Sequence, residues 1–297
     1  MAFQKFTGTG VAVTTPFADN QSVDHASLSK HIEFLIENGV NYLVVLGTTG
    51  ESVTLSDQEK RAVTDTVLRA NNGQVPVVLG MGGNNTASVL EKIDHFDFQG
   101  IDAILSVAPY YNKPTQEGLY QHFKAIAEKS PVPVILYNVP GRTGKNIEPQ
   151  TIVSLARDFD NIVAVKEASG SFDQAMHIIQ NKPEDFLVIS GEDAITLPLM
   201  SIGVAGVISV AANAFPREWS HMVSYALKND YHSAKELHYK LLAIVENLFA
   251  EGNPGGIKCA LSIKGIIPNR LRLPLVPVSK ELEKELKTRI DQLDTAE

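Results

Sequence analysis

The residues of this chain that are best suited to covalent chemistry are a lysine and a tyrosine, each placed directly after an apolar run. Residues 162–165 are uncharged and mostly β-branched, which is typical of a strand buried on both faces of a parallel sheet, and Lys166 follows them. Burial lowers the pKa of a lysine, and a nucleophilic amine must be neutral. Lys166 is therefore a candidate for imine formation, although a lysine at the mouth of a strand can also extend its ammonium into water.

A second set of polar groups suits the same chemistry. Tyr137 follows the apolar run 132–136, and its phenol could transfer a proton. Residues 47–50, Gly-Thr-Thr-Gly, follow the run 42–46, and their backbone N–H groups could hold a carboxylate. An amine, a phenol and a carboxylate-binding turn together favour imine chemistry on a 2-oxo acid. Such chemistry requires no metal ion and no organic cofactor.

Eight apolar runs alternate with helical patterns along the chain. The runs predict strands at residues 10–15, 42–46, 75–79, 103–107, 132–136, 162–166, 186–189 and 206–210. Amphipathic patterns predict helices at 24–38 and 116–129, and the pairs Ser56 with Glu59 and Ser171 with Gln174 predict capped helix starts. Eight strand–helix repeats favour an α/β fold, a closed (β/α)₈ TIM barrel, over an open sheet.

In such barrels the active site lies at the C-terminal ends of the strands. The polar residues that follow the apolar runs would meet there, namely Thr48, Thr49, Tyr110, Tyr111, Tyr137, Arg142 and Lys166. Alone, the tyrosine pair could be an apolar plug and the threonines could be turn caps. Because strands five and six are neighbours in a barrel, Tyr137 and Lys166 are expected to point into one pocket.

The alternation ends near residue 229, and helical patterns follow. An apolar helix face is marked by Leu241, Ile244, Val245 and Leu248, and another helix is predicted to start near Ser279. We therefore expect residues 1–229 to form the barrel with the active site. Residues 230–297 are expected to form a small C-terminal helical appendage that could pack on the barrel or on another subunit.

Composition excludes several functions. A net charge of −8 and the lack of a Lys/Arg block argue against nucleic-acid binding. No apolar run reaches the ~18 residues of a membrane helix, and residues 1–10 do not resemble a secretion signal, so a soluble cytoplasmic protein is expected. The lone Cys259 excludes an internal disulfide, the eight histidines lack metal-binding spacing, and residues 80–83 do not complete a dinucleotide fingerprint.

Four motifs, taken together, resemble one family in their order and spacing. They are Gly47-Thr48-Thr49-Gly50-Glu51-Ser52, Pro109-Tyr110-Tyr111-Asn112-Lys113-Pro114, Tyr137-Asn138-Val139-Pro140-Gly141-Arg142-Thr143-Gly144 and Val165-Lys166-Glu167-Ala168-Ser169-Gly170. The set resembles the dihydrodipicolinate synthase branch of the pyruvate-dependent class I aldolases. The resemblance covers nearly the whole chain and implies a lyase of that group.

The resemblance also implies roles for individual residues. By it, Lys166 forms the imine with pyruvate, Tyr137 shuttles protons, and Thr48 links the tyrosine into a relay. Tyr111 would enter the relay from a neighbouring subunit. Thr48 and Thr49 would seat the pyruvate carboxylate.

The same resemblance implies the second substrate and the product. The enamine would attack the aldehyde of L-aspartate 4-semialdehyde, and ring closure by the substrate amine would free the lysine as 4-hydroxytetrahydrodipicolinate forms for lysine and diaminopimelate biosynthesis. Gly191 and Ile208 are assigned to substrate binding, and a homotetramer made of two dimers is expected.

Arg142 discriminates between related families. Sialic acid lyases resemble this chain at the lysine and tyrosine but lack an arginine here, whose planar fork could hold the second substrate's carboxylate. Two alternatives stay open. The first is another pyruvate-dependent aldolase, either N-acetylneuraminate lyase or an aldolase of 2-oxo-3-deoxy sugar acids. The second is a non-catalytic barrel that senses an oxo acid. The sequence departs from the family at residues 253–258, Asn-Pro-Gly-Gly-Ile-Lys, where an extra glycine replaces a bulkier residue.

A regulatory site is also implied by the resemblance. In family members that lysine inhibits, the effector lies near residues matching Ser52, Val53, Lys60, Asn84, Ser88 and Tyr110. Sensitive members typically carry histidine or glutamate at the position of Lys60 and glutamate at that of Ser88. Because this chain has a cation and a neutral hydroxyl there, weak or absent inhibition by lysine is expected.

Overall fold

The computed structural model of the chain describes residues 4–294 and shows a closed barrel of eight parallel strands in the order β1 to β8. The strands are β1 (Gly8–Ala12), β2 (Tyr42–Val45), β3 (Val77–Gly80), β4 (Ala103–Val107), β5 (Val134–Asn138), β6 (Ile162–Glu167), β7 (Leu187–Ser190) and β8 (Gly206–Ser209). Pairing of β1 with β8 closes the barrel. The predicted (β/α)₈ architecture is confirmed.

Helices follow the strands and continue beyond the barrel. The α-helices in residues 4–294 are α1 (His25–Glu37), α2 (Asp57–Asn71), α3 (Thr86–His95), α4 (Gln116–Lys129), α5 (Pro140–Thr143), α6 (Pro149–Asp158), α7 (Phe172–Asn181), α8 (Thr196–Met200), α9 (Pro216–Leu227), α10 (Tyr231–Phe249), α11 (Gly255–Ile263) and α12 (Lys280–Asp294). The last three form the predicted helical region, and its boundary at residue 230 stays a prediction. None of the described helices is long and apolar enough to cross a membrane.

Two apolar layers explain why the uncharged runs form strands. Side chains alternate along each strand, so that Val44 points into the barrel while Leu43 and Val45 pack against the helices. At the N-terminal end the interior is closed by the rings of Phe6 and Tyr42, whose centroids lie 5.9 Å apart. The barrel is therefore a packed core, and it opens only towards the C-terminal ends of its strands.

The helix starts follow the predicted capping residues, with one difference. Ser56 and Glu59 form the complete capping box of α2, with hydrogen bonds in both directions. Ser171 accepts from the backbone N–H of Gln174 at the start of α7, as predicted. The Gln174 side chain does not return to the cap, because it donates to Glu167 instead.

Strand boundaries differ from the predictions at two places that matter for the site. β5 was expected at residues 132–136 but extends through Tyr137 and Asn138, because the Asn138 side chain finds partners within the fold. β1 was expected at 10–15 but ends at Ala12, because the backbone N–H of Thr14 donates to the Asn213 side chain. Tyr137 is therefore a strand residue and is fixed by the barrel ladder.

Candidate active site

Lys166 and Tyr137 lie side by side inside the barrel, near the C-terminal ends of β6 and β5. Their Cα atoms are directly paired in the parallel ladder. The Lys166 ammonium lies 4.5 Å from the centroid of the Tyr137 ring, and both residues are buried, at 5% and 7% exposure. A cation over an aromatic face is attracted by the ring's quadrupole. The predicted convergence of the amine and the phenol is therefore present.

A β-bulge in β6 creates this pairing. Val134 pairs with Ile162, but Ile135 pairs with Ala164, so Val163 is an extra residue in the strand. Because side chains alternate with a period of two, one inserted residue exchanges the inner and outer faces from that point on. Without the bulge, Lys166 would lie opposite Asn138, whose side chain points out of the barrel.

Gly191 makes room for the lysine stem. A Cβ atom at Gly191 would lie 2.9 Å from Cε and 3.2 Å from Cγ of Lys166, and 2.6 Å from Cβ of Ala168. These distances are too short for a side chain at this position, so the glycine leaves the space that the Lys166 side chain occupies. Ile208, the other residue assigned to substrate binding, is fully buried in the inner layer on β8.

The outer face of the same two strands is held by a carboxylate. Glu167 points out of the barrel and accepts hydrogen bonds from the Asn138 amide at 3.0 Å, the Gln174 amide at 2.7 Å and the Ser169 backbone N–H at 2.7 Å. Asn138 also donates to Asn146 at 2.8 Å. These bonds connect the ends of β5 and β6 to α7, and they fix Tyr137 and Lys166 relative to each other from the opposite face.

The turn at residues 47–50 lies at the end of β2. The backbone N–H of Glu51 donates to the carbonyl of Thr48 at 3.0 Å, and Glu51 itself has a left-handed backbone, with φ at 51°. Thr48 is exposed, whereas Thr49 is 2% exposed and its hydroxyl accepts from the Asn253 amide at 3.0 Å. The two threonines therefore face different surroundings, Thr48 the cavity and Thr49 the C-terminal region.

One cavity of about 980 Å³ connects these features. Its wall includes Thr48, Tyr137, Arg142 and Asn253, together with apolar residues such as Leu105. Tyr137 lines this cavity, whereas Lys166, which contacts the Tyr137 ring, is not among the described residues that line it. The two residues therefore meet as expected, but the structure does not place both in one cavity wall. The cavity is lined by mixed polar and apolar groups, as expected of a pocket for a small polar substrate.

Arg142 lies at the cavity mouth. It is on the one-turn helix α5, which begins at Pro140 directly beyond β5, and it is exposed. Its guanidinium donates to the backbone carbonyl of Asn253 at 3.5 Å. Because Arg142 is exposed, its guanidinium could also bind a carboxylate from the cavity.

Tyr110 and Tyr111 lie in different surroundings. Tyr110 lines the cavity, and its carbonyl accepts from the Asn84 amide at 3.1 Å. Tyr111 is 89% exposed and has a left-handed backbone, with φ at 72°. Such a conformation is strained for an aromatic residue. The structure therefore does not bring Tyr111 to the Tyr137 phenol of its own chain.

The residues of the expected effector site surround the outer part of the same cavity. Ser52, Val53, Lys60, Ser88 and Tyr110 contribute to its wall, and Asn84 lies behind Tyr110. The Lys60 ammonium donates to the Asp57 carboxylate at 3.0 Å, and this bond lowers the pKa of Asp57. The site thus carries a surface cation whose charge is partly balanced within α2.

Sequence reasoning missed two carboxyl groups after β7. Asp193 is 2% exposed and accepts from the backbone N–H groups of Val210 and Ala211 at 2.9 and 2.8 Å, so it ties the end of β7 to β8. Burial raises the pKa of Asp193, against the opposing effect of these bonds. Both Asp193 and Glu192 follow a barrel strand, so the rule that located Tyr137 could have located them.

Glu192 is electrostatically coupled to the site. Burial, and next the nearby Asp193, raise the pKa of Glu192, whereas the positive charges of Lys166 and Arg142 lower it. A carboxyl close enough to feel both positive charges can help balance them. Within residues 4–294 no group of three or more His, Cys, Asp or Glu side chains is arranged to hold a metal ion.

Comparisons with known proteins all indicate the same family. The model of the Dihydrodipicolinate synthetase family matches residues 5–293. A 4-hydroxy-tetrahydrodipicolinate synthase of Parabacteroides distasonis is 54% identical over 277 residues, which is 93% of each chain. A solved monomeric dihydrodipicolinate synthase variant is 39% identical, with a TM-score of 0.96 and 98% of each chain covered. A dihydrodipicolinate synthase from Cyanidioschyzon merolae, solved with lysine bound, is 37% identical with a TM-score of 0.94, covering 98% of this chain and 99% of that one.

Proposed function

The chain belongs to the Dihydrodipicolinate synthetase family, and on that premise we propose that it joins pyruvate to L-aspartate 4-semialdehyde through an imine on Lys166. The activity is that of a 4-hydroxy-tetrahydrodipicolinate synthase, a lyase. The observation that supports this chemistry is the buried pair of Lys166 and Tyr137. Their Cα atoms are paired across β6 and β5, and the amine lies against the ring of the phenol that would transfer protons.

The reaction divides into steps that the site can support. The Lys166 amine attacks C2 of pyruvate, and water leaves as the imine forms. Loss of a proton from C3 gives the enamine, whose C3 attacks the aldehyde carbon of the second substrate while the aldehyde oxygen takes a proton. The substrate amine then attacks C2 and displaces the lysine, which closes the ring. We assign these proton transfers to Tyr137, with Thr48 proposed as its partner in a relay.

The two substrate carboxylates are assigned to different groups. Thr48 and Thr49 are proposed to receive the pyruvate carboxylate, because their turn follows β2 and Thr48 lines the same cavity as Tyr137. Arg142 is proposed to receive the carboxylate of aspartate semialdehyde, because it is exposed at the mouth. Two carboxylates then bind without competing for one cation.

A coupled assay tests the proposed function. The purified protein should consume pyruvate with aspartate semialdehyde and show far lower kcat/KM with sugar-derived aldehydes. Efficient turnover of N-acetylmannosamine or a sugar-derived aldehyde would instead support the sialic acid lyase or sugar acid aldolase alternatives. Pyruvate binding without turnover of any aldehyde would support the sensor alternative. We also propose a cytoplasmic enzyme, in keeping with its role in amino-acid biosynthesis.

Replacing Arg142 by alanine should separate the two substrates. We expect kcat/KM for aspartate semialdehyde to fall by about 100-fold, the loss typical of a charged carboxylate contact. Imine formation with pyruvate should survive, because Arg142 lies beyond the strand and away from Lys166. Trapping with borohydride in the absence of aldehyde measures the imine separately. Arg289→Ala, on the exposed face of α12, is the matched control, and equal losses for both substrates would contradict the assignment.

We propose that the active unit is at least a dimer and, as a finer expectation, a homotetramer. Tyr111 is strongly exposed and strained, which suits an aromatic residue that inserts into a neighbouring subunit. The Tyr111→Phe substitution should then lower kcat by about tenfold or more, because a relay loses its hydroxyl, while the melting temperature stays unchanged. Tyr239→Phe, an exposed tyrosine on α10, is the control. Full kcat in Tyr111→Phe, or an active monomer in sedimentation, would reject the shared site.

Lysine should inhibit the enzyme weakly or not at all. An effector ammonium near Lys60 would meet a like charge, and two unit charges ~4 Å apart interact by about 1 kcal/mol in water and about 4 kcal/mol near a protein surface. Either value weakens binding by roughly fivefold or more. Titration of L-lysine into the coupled assay should give half-inhibition above one millimolar. Ser88→Glu, which supplies an anion, should increase the sensitivity, and submillimolar inhibition of the unmodified enzyme would refute the expectation.

A further inference from the structure

A buried ion pair connects the C-terminal region to the turn at residues 47–50. Lys258 on α11 is fully buried, and its ammonium contacts the carboxylate of Glu51, which is 1% exposed. The ammonium also donates to the carbonyl of Arg270 at 2.8 Å and lies 4.1 Å from the centroid of the Phe17 ring. Burial lowers the pKa of Lys258 to about 8, against the opposing effect of Glu51.

The other carboxylate oxygen of Glu51 is held from the same region. It accepts from the backbone N–H of Arg272 at 3.1 Å. The Arg272 guanidinium is itself fixed by two hydrogen bonds to Glu59, at 3.0 and 2.5 Å, and by one to the carbonyl of Thr54 at 2.9 Å. The bonds to Arg272 lower the pKa of Glu59 to about 2. Glu51 is thus clamped between α11 and the segment that precedes α12.

The pair is poorly explained by stability alone. Desolvating two charges costs several kcal/mol per ion, and apolar replacements of buried pairs are often neutral or stabilising. The pair instead fixes the backbone conformation of Glu51. That conformation is left-handed, and a residue other than glycine adopts it only at a cost. The hydrogen bond from Glu51 N–H to the Thr48 carbonyl closes the turn directly before it.

A second contact supports the same turn from the same region. The Asn253 amide donates to the Thr49 hydroxyl at 3.0 Å, and Asn253 lies two residues before α11, which carries Lys258. Gly256 on α11 allows this placement, since a Cβ there would lie 2.2 Å from the carbonyl oxygen of Leu248 on α10. One of the two glycines noted in the sequence at residues 253–258 therefore permits the close contact of two helices.

We propose that Lys258 is a positioning residue which, through Glu51, holds the Thr48–Thr49 turn in the conformation that receives the pyruvate carboxylate. The inference rests on the proposed function, in which pyruvate binds at this turn and reacts with Lys166. Lys258 is proposed to act on the affinity for pyruvate through Glu51. Within the described part of the chain, Arg142 contacts the carbonyl of Asn253 and neither partner of the ion pair, so the aldehyde site should keep its affinity.

Three variants test the role of the pair. Lys258→Met keeps the length of the stem beside Phe17, Glu51→Gln keeps the shape of the acid, and Lys258→Met/Glu51→Gln removes both charges together. The readout is the pyruvate concentration that gives half-maximal reduced adduct on Lys166, measured by borohydride trapping and mass spectrometry. Melting temperature and the KM for aspartate semialdehyde at saturating pyruvate are measured in parallel. Lys287→Met, in an exposed pair on α12, is the control.

The single variants should lose stability, because each leaves one buried charge without its partner. The double variant should recover most of the melting temperature, yet its half-saturating pyruvate concentration should still be about tenfold higher, as for the loss of one charge-assisted contact. Its KM for the aldehyde should match that of the unmodified protein. A merely structural pair would instead give recovery of both stability and pyruvate affinity in the double variant.

The outcomes separate this inference from the proposed function. If the unmodified protein forms no adduct on Lys166, the proposed function fails. If the adduct forms and the double variant shows unmodified half-saturation, only the positioning role is overturned. Should Lys258→Met alone fail to fold, the double variant still decides the question, because it leaves neither charge of the pair without a partner.

Discussion

Replacing Lys166 by alanine should reduce kcat by about four orders of magnitude or more, the range seen when a covalent nucleophile is removed. The expectation follows from the Lys166 amine placed inside the barrel, where Gly191 lacks a side chain and leaves space for the lysine stem. No neighbouring group can replace the carbon–nitrogen bond that the imine requires. The fold should persist, because a cavity at the open end of the barrel can fill with water.

Mass spectrometry after borohydride reduction with pyruvate measures this effect directly. The adduct should map to Lys166 in the unmodified protein and be absent from Lys166→Ala. Lys124→Ala, in an exposed ion pair on α4, should label and turn over normally. Labelling at another lysine, or undiminished labelling of Lys166→Ala, would show that the covalent step lies elsewhere.

Replacing Tyr137 by phenylalanine should lower kcat by roughly 10²- to 10⁴-fold, the contribution typical of general acid–base catalysis. The ring remains, so the contact with the Lys166 ammonium and the packing of the inner layer are kept. The imine should still form, but more slowly, because the proton transfers then depend on water. Stopped-flow measurement of imine formation and steady-state kcat report the two steps separately.

Tyr42→Phe is a matched control for Tyr137→Phe. Tyr42 is also a buried tyrosine inside the barrel, but it lies at the closed end, and its hydroxyl makes one long bond, 3.4 Å, to the carbonyl of Val207. Its replacement should leave kcat unchanged. If Tyr42→Phe and Tyr137→Phe lose activity equally, the effect comes from the packing of the barrel and not from a proton relay.

Much of the fold could be predicted from the sequence because strand and helix patterns are local. Uncharged runs indicate strands that are buried on both faces. Because eight such runs alternate with helical patterns, only a few fold architectures are compatible with the sequence. Helix α4 begins and ends where its pattern predicted, at Gln116 and Lys129. The candidate catalytic residues could be selected because barrel enzymes place such residues directly after the strands, and the strands can be located from the sequence.

What the sequence could not predict depends on registers and on distant contacts. The bulge at Val163 decides whether Lys166 faces the interior, and an apolar run carries no sign of which residue is inserted. Glu192 and Asp193 were overlooked because the site was assembled from the other strand ends. Lys258 was read as part of a departure in packing, since its partner Glu51 is distant in sequence and their contact exists only in the fold.

The contacts between the C-terminal region and the turn at residues 47–50 also have a consequence for the order of events during synthesis. Asn253 bonds to a residue 204 positions earlier, and Arg272 bonds to one 221 positions earlier. A nascent chain can therefore complete all eight strands while its turn still lacks these partners. Contacts of such long range close last and slowly. The turn that we propose to bind pyruvate gains these partners only after residues 253 and 272 have been synthesised, so the strands of the barrel can fold before this turn is fully supported.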